Sequence, residues 1–346
     1  MSRVLVAALL ASVTLAAQTS APRKGSMPVR PHTGPAIVTD FAAAMLTPPP
    51  ADLGLDPFYK KYADAYGLPI VSSELVPDAT LLMARDIVNY MLLKRPDVRQ
   101  ALVDRKARVL IMAESEGEMD LPERSTWTKP AKDDRRLTDG ERANYDKPGG
   151  IASLTARDYW NNRARGMGGT VTSAAEENIM GYPGTKYFGE HILVHEFSHN
   201  IMGALQRADP TLHAQIQPAF DAAKSAGKYK GQYAINTVAE YFAEGTQWWF
   251  WSNFEFYDGD TRVQSPDDLK AYDPVLYAIL DKIYAGHHIP ADIYYAKNLK
   301  PARRQGDVTS AQTTPHPATE DLSDVHAGRR ADQLRELVHL KRLPRL

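Results

Sequence analysis

The sequence predicts an α+β fold in which a small mixed sheet precedes a mostly helical C-terminal lobe. Two short segments, the compact run at 108–113 and the Thr-Val-Thr segment at 170–172 that follows two glycines, are strand candidates. Apolar residues recur at helical spacing over four later segments, which are 187–204, 210–226, 236–251 and 273–284. The chain has 346 residues, 43% of them hydrophobic, which is enough for one large domain with a sizeable core.

The N-terminal half contains further individual elements. Apolar residues at helical spacing predict a helix over 78–95 with Asp78 as its N-cap. Pro96 stops or restarts this helix, and a second short helix is predicted to run to Asp104. Residues 114–165 are polar and poorly periodic, so we expect a functional loop or an insertion there.

The first residues have the pattern of a secretory signal. Arg3 supplies a positive charge, residues 4–15 are apolar, and Ala16 and Ala17 offer small residues for cleavage. The apolar run is shorter than the roughly 20 residues of a membrane span, although an uncleaved N-terminal anchor is an alternative. We therefore expect a signal peptide over 1–17 and a secreted or periplasmic protein without stable membrane insertion.

Composition divides the remaining chain into three parts. The segment 18–55 is rich in Pro, Ala and Thr and predicts a linker or loosely ordered arm. A catalytic domain is expected over 56–300, followed by a flexible tail over 301–346. The net charge of −1 gives no reason to expect nucleic acid as a partner. Because the chain has no cysteine, any metal site must use His, Asp and Glu.

The sharpest chemical signal is His195-Glu196-Phe197-Ser198-His199, a match to the pattern HExxH. On a helix, residues four apart lie on one face, so the imidazoles of His195 and His199 can converge on one tetrahedral ion. Glu196 would lie beside the ion and accept a proton from bound water. Two histidines on a surface helix, with no metal, are the alternative that this motif alone leaves open.

A second helix offers the third ligand that a catalytic zinc requires. Asn236 is a plausible cap, and Glu240 and Glu244 lie four apart on one helix face. We expect Glu240 to bind the metal and Glu244 to accept the far N–H of a ligand histidine. The alternative is a pair of like charges on a solvated face, which the neighbouring aromatic residues disfavour.

These two motifs together resemble the gluzincin metallopeptidases, and in particular the family of the anthrax lethal factor catalytic domain and the bacterial Pro-Pro endopeptidases. That family carries an HEFGH-type helix and an E-[FY]-F-A-E-type helix, and the likeness covers residues 187–245. It implies a zincin-like fold, and it implies that Tyr233, seven residues before Glu240, assists the oxyanion. Ser198 departs from the glycine that the family often has.

The expected activity is hydrolysis of peptide bonds in a peptide or protein substrate, with Zn²⁺ as cofactor. The strand near 170–172 is expected to serve as the edge along which an extended peptide pairs. Two alternatives stay open: a metal-dependent hydrolase of another amide or of a glycan, and a zincin-like binding module without turnover. The sequence does not define the oligomeric state or the cleavage preference.

Overall fold

The computed structural model describes residues 46–288, except 135, 136, 138, 183, 285 and 287. The N-terminal part of this range contains, in chain order, β1 (Lys61–Asp64), β2 (Pro69–Ser72), α1 (Asp78–Met91), α2 (Pro96–Asp104), β3 (Arg108–Met112), α3 (Asp139–Asn144), α4 (Ala156–Arg163), β4 (Gly166–Met167), β5 (Val171–Ala175) and α5 (Glu176–Ile179). The C-terminal part contains α6 (Ile192–Ala208), α7 (Pro210–His213), α8 (Ile216–Ser225), α9 (Val238–Trp249), β6 (Phe256–Asp258), β7 (Thr261–Val263), α10 (Pro266–Tyr272) and α11 (Pro274–Tyr284).

Two of the predicted segments lie beyond this range. The signal peptide expected over 1–17 and the tail expected over 301–346 fall outside the described residues, and the domain boundaries stay predictions. At the start of the range, Thr47 forms a β-bridge with Tyr62. Within the described part of the chain, no helix combines the length and the apolarity that crossing a bilayer requires.

The first five strands form one mixed sheet with the order β1-β2-β3-β5-β4. The three central strands are parallel, and the two outer strands pair antiparallel to their neighbours. Successive side chains alternate between two buried faces. Val109 and Ile111 contribute to the large core shared with the helices, whereas Leu110 and Met112 pack with Tyr59 in a smaller cluster. The predicted α+β class with a small mixed sheet is therefore confirmed.

Helix α6 packs between the sheet and the C-terminal lobe. Its apolar residues Leu193, Val194, Phe197 and Ile201 are at most 1% exposed. It contacts β5 on one side and α2 and α9 on the others. In the lobe, Trp248, Trp249 and Phe250 at the end of α9 are also buried, whereas Trp251 is 42% exposed. This confirms the predicted helix above a mostly helical C-terminal lobe.

Helix α6 starts later and ends later than predicted. The helix expected over 187–204 begins at Ile192, because Gly189 has a left-handed φ of +99° and breaks the helical path. The side chain of Asn178 then accepts the N–H of Ile192 at 2.7 Å and caps the first turn. A cap supplied from 14 residues away leaves no local signature in the sequence.

Two other helix boundaries also differ from the prediction. The segment expected as one helix over 210–226 is two helices, α7 and α8, and Asp209 caps the first of them. The N-cap of α9 is Thr237 instead of Asn236, and its hydroxyl accepts the N–H of Glu240 at 3.2 Å. The cap therefore lies three residues before Glu240 and fixes the first turn of that helix.

The sheet edge is also different from the one expected. Strand β5, which includes Val171 and Thr172 of the predicted edge, lies between β3, which pairs with its whole length, and β4. The edge is β4, a strand of two residues that pairs with Ser173 and Ala174. A strand this short has no periodicity to read, so the sequence offered no signal for it.

Residues 114–165 form a packed insertion rather than a long loop. The insertion contains two helices, α3 and α4, and a separate small core made of Met119, Leu137, Ile151, Tyr159 and Trp160. Buried charges connect this insertion to the sheet. Arg124, 3% exposed, forms an ion pair with Glu118, which is fully buried. The Ser173 hydroxyl accepts from Arg124 at 2.5 Å and donates to Glu118 at 2.9 Å, which ties the insertion to β5.

We expect Arg124→Met to destabilise the protein strongly. Removing one partner of a buried ion pair leaves an uncompensated charge and costs about 3–5 kcal/mol. The double variant Glu118→Leu/Arg124→Met should recover much of that loss, because no lone charge then stays buried. Free energies of unfolding in urea measure both effects. Lys132→Met is the control, since Lys132 pairs with Asp146 on the surface. Equal losses in Arg124→Met and Lys132→Met would contradict the prediction.

Candidate metal centre

The HExxH motif lies in the first two turns of α6. His195 and His199 are one turn apart, with ring centroids 5.0 Å apart and planes inclined by 77°. The side chain of His195 is 6% exposed and that of His199 is 16% exposed. The two imidazoles therefore project from the same side of a helix whose apolar side is fixed in the core.

Helix α9 presents a carboxylate to both imidazoles. Glu240 Oε2 lies 2.9 Å from His195 Nε2 and 3.6 Å from His199 Nε2. This approach depends on the packing of α6 against α9, which brings together residues 45 positions apart in sequence. The structure thus brings together the three side chains that the sequence predicted as ligands.

The donor set and spacing fit a zinc ion. Tetrahedral zinc with bonds of about 2.0–2.1 Å places its ligand atoms roughly 3.3 Å apart. The separations from Glu240 to the two imidazoles lie on either side of that value. Two imidazoles and a carboxylate are also the ligands of one common class of catalytic zinc site.

Glu196 is the other carboxylate near the histidines. His195, Glu196 and His199 offer ligand atoms within 4.8 Å of one another, so charge and distance alone permit Glu196 as a ligand. Its nearest approach to His199 Nε2 is 4.0 Å, longer than either separation from Glu240. Glu240 therefore fits the third ligand position better, and Glu196 fits the position of a neighbouring base.

Glu240 and His195 shift each other's protonation. Burial alone would raise the pKa of Glu240, but hydrogen bonds from His195 and His199 outweigh it and hold that pKa far below the ordinary 4.5. Burial alone would lower the pKa of His195, yet the hydrogen bond and charge of Glu240 raise it well above 6.5. The meeting point of these side chains therefore favours a positive charge.

Tyr233 approaches the same carboxylate from a 3₁₀ turn, Tyr233–Ile235, just before α9. Its hydroxyl donates to Glu240 Oε1 at 3.4 Å, and its ring centroid lies 6.3 Å from that of His195. Burial, followed by the negative charge of Glu240, raises the pKa of Tyr233 well above 10. The phenol therefore stays protonated at neutral pH and can donate a hydrogen bond.

Glu244 does not make the contact expected of it. The structure places Glu244 Oε1 3.6 Å from His195 Nδ1, beyond hydrogen-bonding distance. The partner of Nδ1 is instead Gln247 Oε1 at 2.9 Å. Sequence reasoning missed Gln247, although its position seven residues after Glu240 puts it on the same helix face.

A third buried carboxyl, Glu190, was also not predicted from the sequence. Glu190, His195 and Glu244 form a second group with ligand atoms within 4.8 Å of one another. Burial, and then the charge of Glu244, raise the pKa of Glu190 from 4.5 to about 8. This carboxyl is therefore largely protonated at neutral pH, unlike Glu240.

The edge strand β4 runs close over the motif. A Cβ atom at Gly168 would lie 2.8 Å from His199 Cδ2 and 3.1 Å from Glu196 Oε2. A Cβ atom at Gly166 would lie 2.4 Å from Ile192 Cγ2. Glycine at both positions lets the backbone of the sheet edge approach the helix that carries His199 and Glu196.

Comparison with known proteins gives little beyond the fold. No protein-family model matches the sequence, and no curated protein matches it. Among solved structures, the chain is similar to the Pro-Pro endopeptidase of Paenibacillus alvei, with 15% identity and a TM-score of 0.39. That match covers 62% of this chain and 96% of the other. A likeness at this level does not establish an activity, which depends on the side chains themselves.

We expect the purified protein to bind one zinc ion per chain and Glu240→Gln to weaken binding sharply. The loss should exceed the roughly 10- to 100-fold that a supporting residue costs, because a ligand charge is removed. Competition with a chromogenic chelator measures the dissociation constant. Glu123→Gln is the matched control, since Glu123 and Glu240 both have side chains 20% exposed. Equal zinc affinity in both variants would exclude Glu240 as a ligand.

Proposed function

We propose that this chain is a zinc-dependent metalloendopeptidase of the gluzincin type. One observation carries the proposal: the carboxylate of Glu240 meets both imidazoles of the HExxH helix while the phenol of Tyr233 donates to its other oxygen. His195, His199 and Glu240 would hold the ion. Three protein ligands leave one position for water, as in catalytic rather than structural zinc sites.

The roles of the remaining side chains follow from their positions. A bound zinc ion would supply an acidified water and polarise the scissile carbonyl. Glu196, 4.0 Å from His199 Nε2, accepts a proton from the attacking water and passes it to the leaving amine. Tyr233, kept protonated, donates a hydrogen bond to the oxyanion that develops on the substrate carbonyl.

The position of β4 supports an extended peptide as the substrate. It is the last strand of the sheet, so its outer backbone groups are available to a further strand. Its close approach to Glu196 and His199 would hold a paired peptide beside these side chains. Backbone pairing gives affinity without requiring a particular sequence, as suits an endopeptidase.

The two rival functions receive less support from the site. A binding module without turnover needs a metal and a surface, but it needs neither the carboxylate of Glu196 nor the phenol of Tyr233. A hydrolase acting on a glycan would gain nothing from a sheet edge beside its metal. Digestion of casein, compared with digestion of cell-wall material, separates the peptidase from the second rival.

We expect Glu196→Gln to keep zinc and to lose cleavage of casein. The amide is nearly isosteric with the carboxylate but accepts no proton at neutral pH. Metal content is measured by elemental analysis, and cleavage by the release of peptides over time. If this variant cleaves as fast as the parent, Glu196 is not the base and the proposed mechanism fails.

Tyr233→Phe is expected to lower kcat by roughly 10²- to 10³-fold, the usual effect of losing one oxyanion donor. Zinc affinity should change little, because the phenol is not a ligand in the proposed site. Tyr145→Phe is the control, since the hydroxyl of Tyr145 is half-buried but donates to Pro130 O, away from the site. A similar fall of kcat in both variants would argue against a role in the reaction.

A further inference from the structure

Gln247 connects the candidate metal centre to the backbone behind it. Its side chain is fully buried on α9, and its Oε1 lies 2.9 Å from His195 Nδ1. Its Nε2 donates to His191 O at 3.2 Å and to Ser252 O at 3.4 Å. One amide therefore contacts the first motif histidine, the start of α6 and the turn that follows α9.

The surroundings determine which way this amide points. Nε2 donates to two backbone carbonyl oxygens, which only accept hydrogen bonds, and the Gln247 side chain also hydrogen-bonds the carboxyl of Glu190. Turning the amide over would place Oε1 against these two carbonyls and lose both bonds. Oε1 must therefore face His195, and Nδ1 of that imidazole must carry a proton to make the contact favourable.

The backbone carbonyls that hold Gln247 are themselves fixed. Ser252 O also accepts the N–H of His191 at 2.9 Å, which ties the turn after α9 to the start of α6. The N–H of Ser252 in turn donates to Gln247 O at 2.8 Å. The amide is therefore held by two elements at once and cannot swing away from His195 without breaking these contacts.

We propose that Gln247 is a positioning residue that holds His195 in its Nδ1–H tautomer and leaves the Nε2 lone pair for the metal. The inference rests on the zinc site proposed above and assigns to Gln247 the role that the sequence predicted for Glu244. Glu244 accepts from Asn253 Nδ2 through its Oε2 at 2.8 Å, and its Oε1 lies 3.6 Å from His195 Nδ1, farther than Gln247 Oε1 at 2.9 Å. The acceptor behind the first zinc ligand is thus a neutral amide on the ligand helix.

Two substitutions separate the two functions of this amide. Gln247→Met has a similar shape and removes both the acceptor and the donor. Gln247→Glu keeps an acceptor for His195 Nδ1, but it replaces the donor to the backbone carbonyls with a carboxyl oxygen and adds an acidic group near Glu190 and Glu244. If Gln247 acts through the histidine, the Met variant should weaken zinc binding by about 10- to 100-fold, and the Glu variant, which keeps the acceptor, should weaken it less.

The experiment measures zinc dissociation constants by chelator competition on the full chain, with urea unfolding of the metal-free proteins recorded alongside. Thr246→Val is the matched control, because Thr246 is equally buried on α9 and its hydroxyl contacts Phe242 O and Tyr284. Its zinc affinity should equal that of the parent. If the Met and Glu variants lose zinc affinity equally, Gln247 has only a packing role and the proposal is overturned. Parental zinc affinity in the Met variant would also overturn it.

A second measurement uses the parent alone and does not depend on how any variant folds. Long-range ¹H–¹⁵N correlation spectra of the zinc-loaded protein report which nitrogen of each histidine carries a proton. His195 is expected to carry it on Nδ1 and to bind zinc through Nε2, and the reverse assignment would overturn the proposal. A parent that binds no zinc at all would instead contradict the proposed function, so the two failures are distinguishable.

Discussion

The candidate site depends on the packing of α6 against α9. Neither helix offers a complete ligand set, because the imidazoles project from one and the third carboxylate from the other. The apolar side of α6 is fixed by residues such as Leu193 and Phe197, at most 1% exposed, and α9 ends in the buried Trp248 and Trp249. Tightly packed cores of this kind tolerate little displacement, so two distant segments of the chain keep Glu240 Oε2 2.9 and 3.6 Å from the two imidazole nitrogens.

The electrostatics of that contact favour a cation. Glu190, Glu240 and Glu244 all lie close to His195, and burial makes uncompensated negative charge costly. The charge is divided unequally: Glu240 stays ionised beside the imidazoles, whereas burial and the charge of Glu244 favour a proton on Glu190. A divalent cation between the imidazoles and Glu240 would offset the remaining charge. An ion pair between two side chains would also compensate the charge, but a metal ion additionally keeps one coordination position for a substrate or water.

Local periodicity explains which parts of this site were predictable. HExxH and the pair Glu240 and Glu244 follow from residues four apart on a helix, so the amino-acid sequence alone was enough to predict that His195, His199 and Glu240 could meet. The cap of α6 by Asn178 depends on a contact between segments that are distant in the sequence. The edge strand β4 has only two residues. Neither feature has a repeating pattern that the sequence could show. The misassigned role of Glu244 has a similar cause. Spacing places Glu244 and Gln247 on the same face, but only the turn at Ser252 and Asn253 decides which of them reaches His195.

The opposite wall of the site is built from backbone instead of side chains. Gly166 in β4 and Gly168, the residue after that strand, allow the sheet edge to lie against α6 at distances that a Cβ atom would forbid. An edge of two residues has little stability of its own, since it pairs with β5 along one side only. The buried contact of Arg124, Glu118 and Ser173 fixes β5 and the insertion to one another, and β4 follows directly after the last helix of that insertion. The insertion therefore does more than enlarge the domain: through β5, its buried charges help to hold the edge strand that lies beside Glu196 and His199.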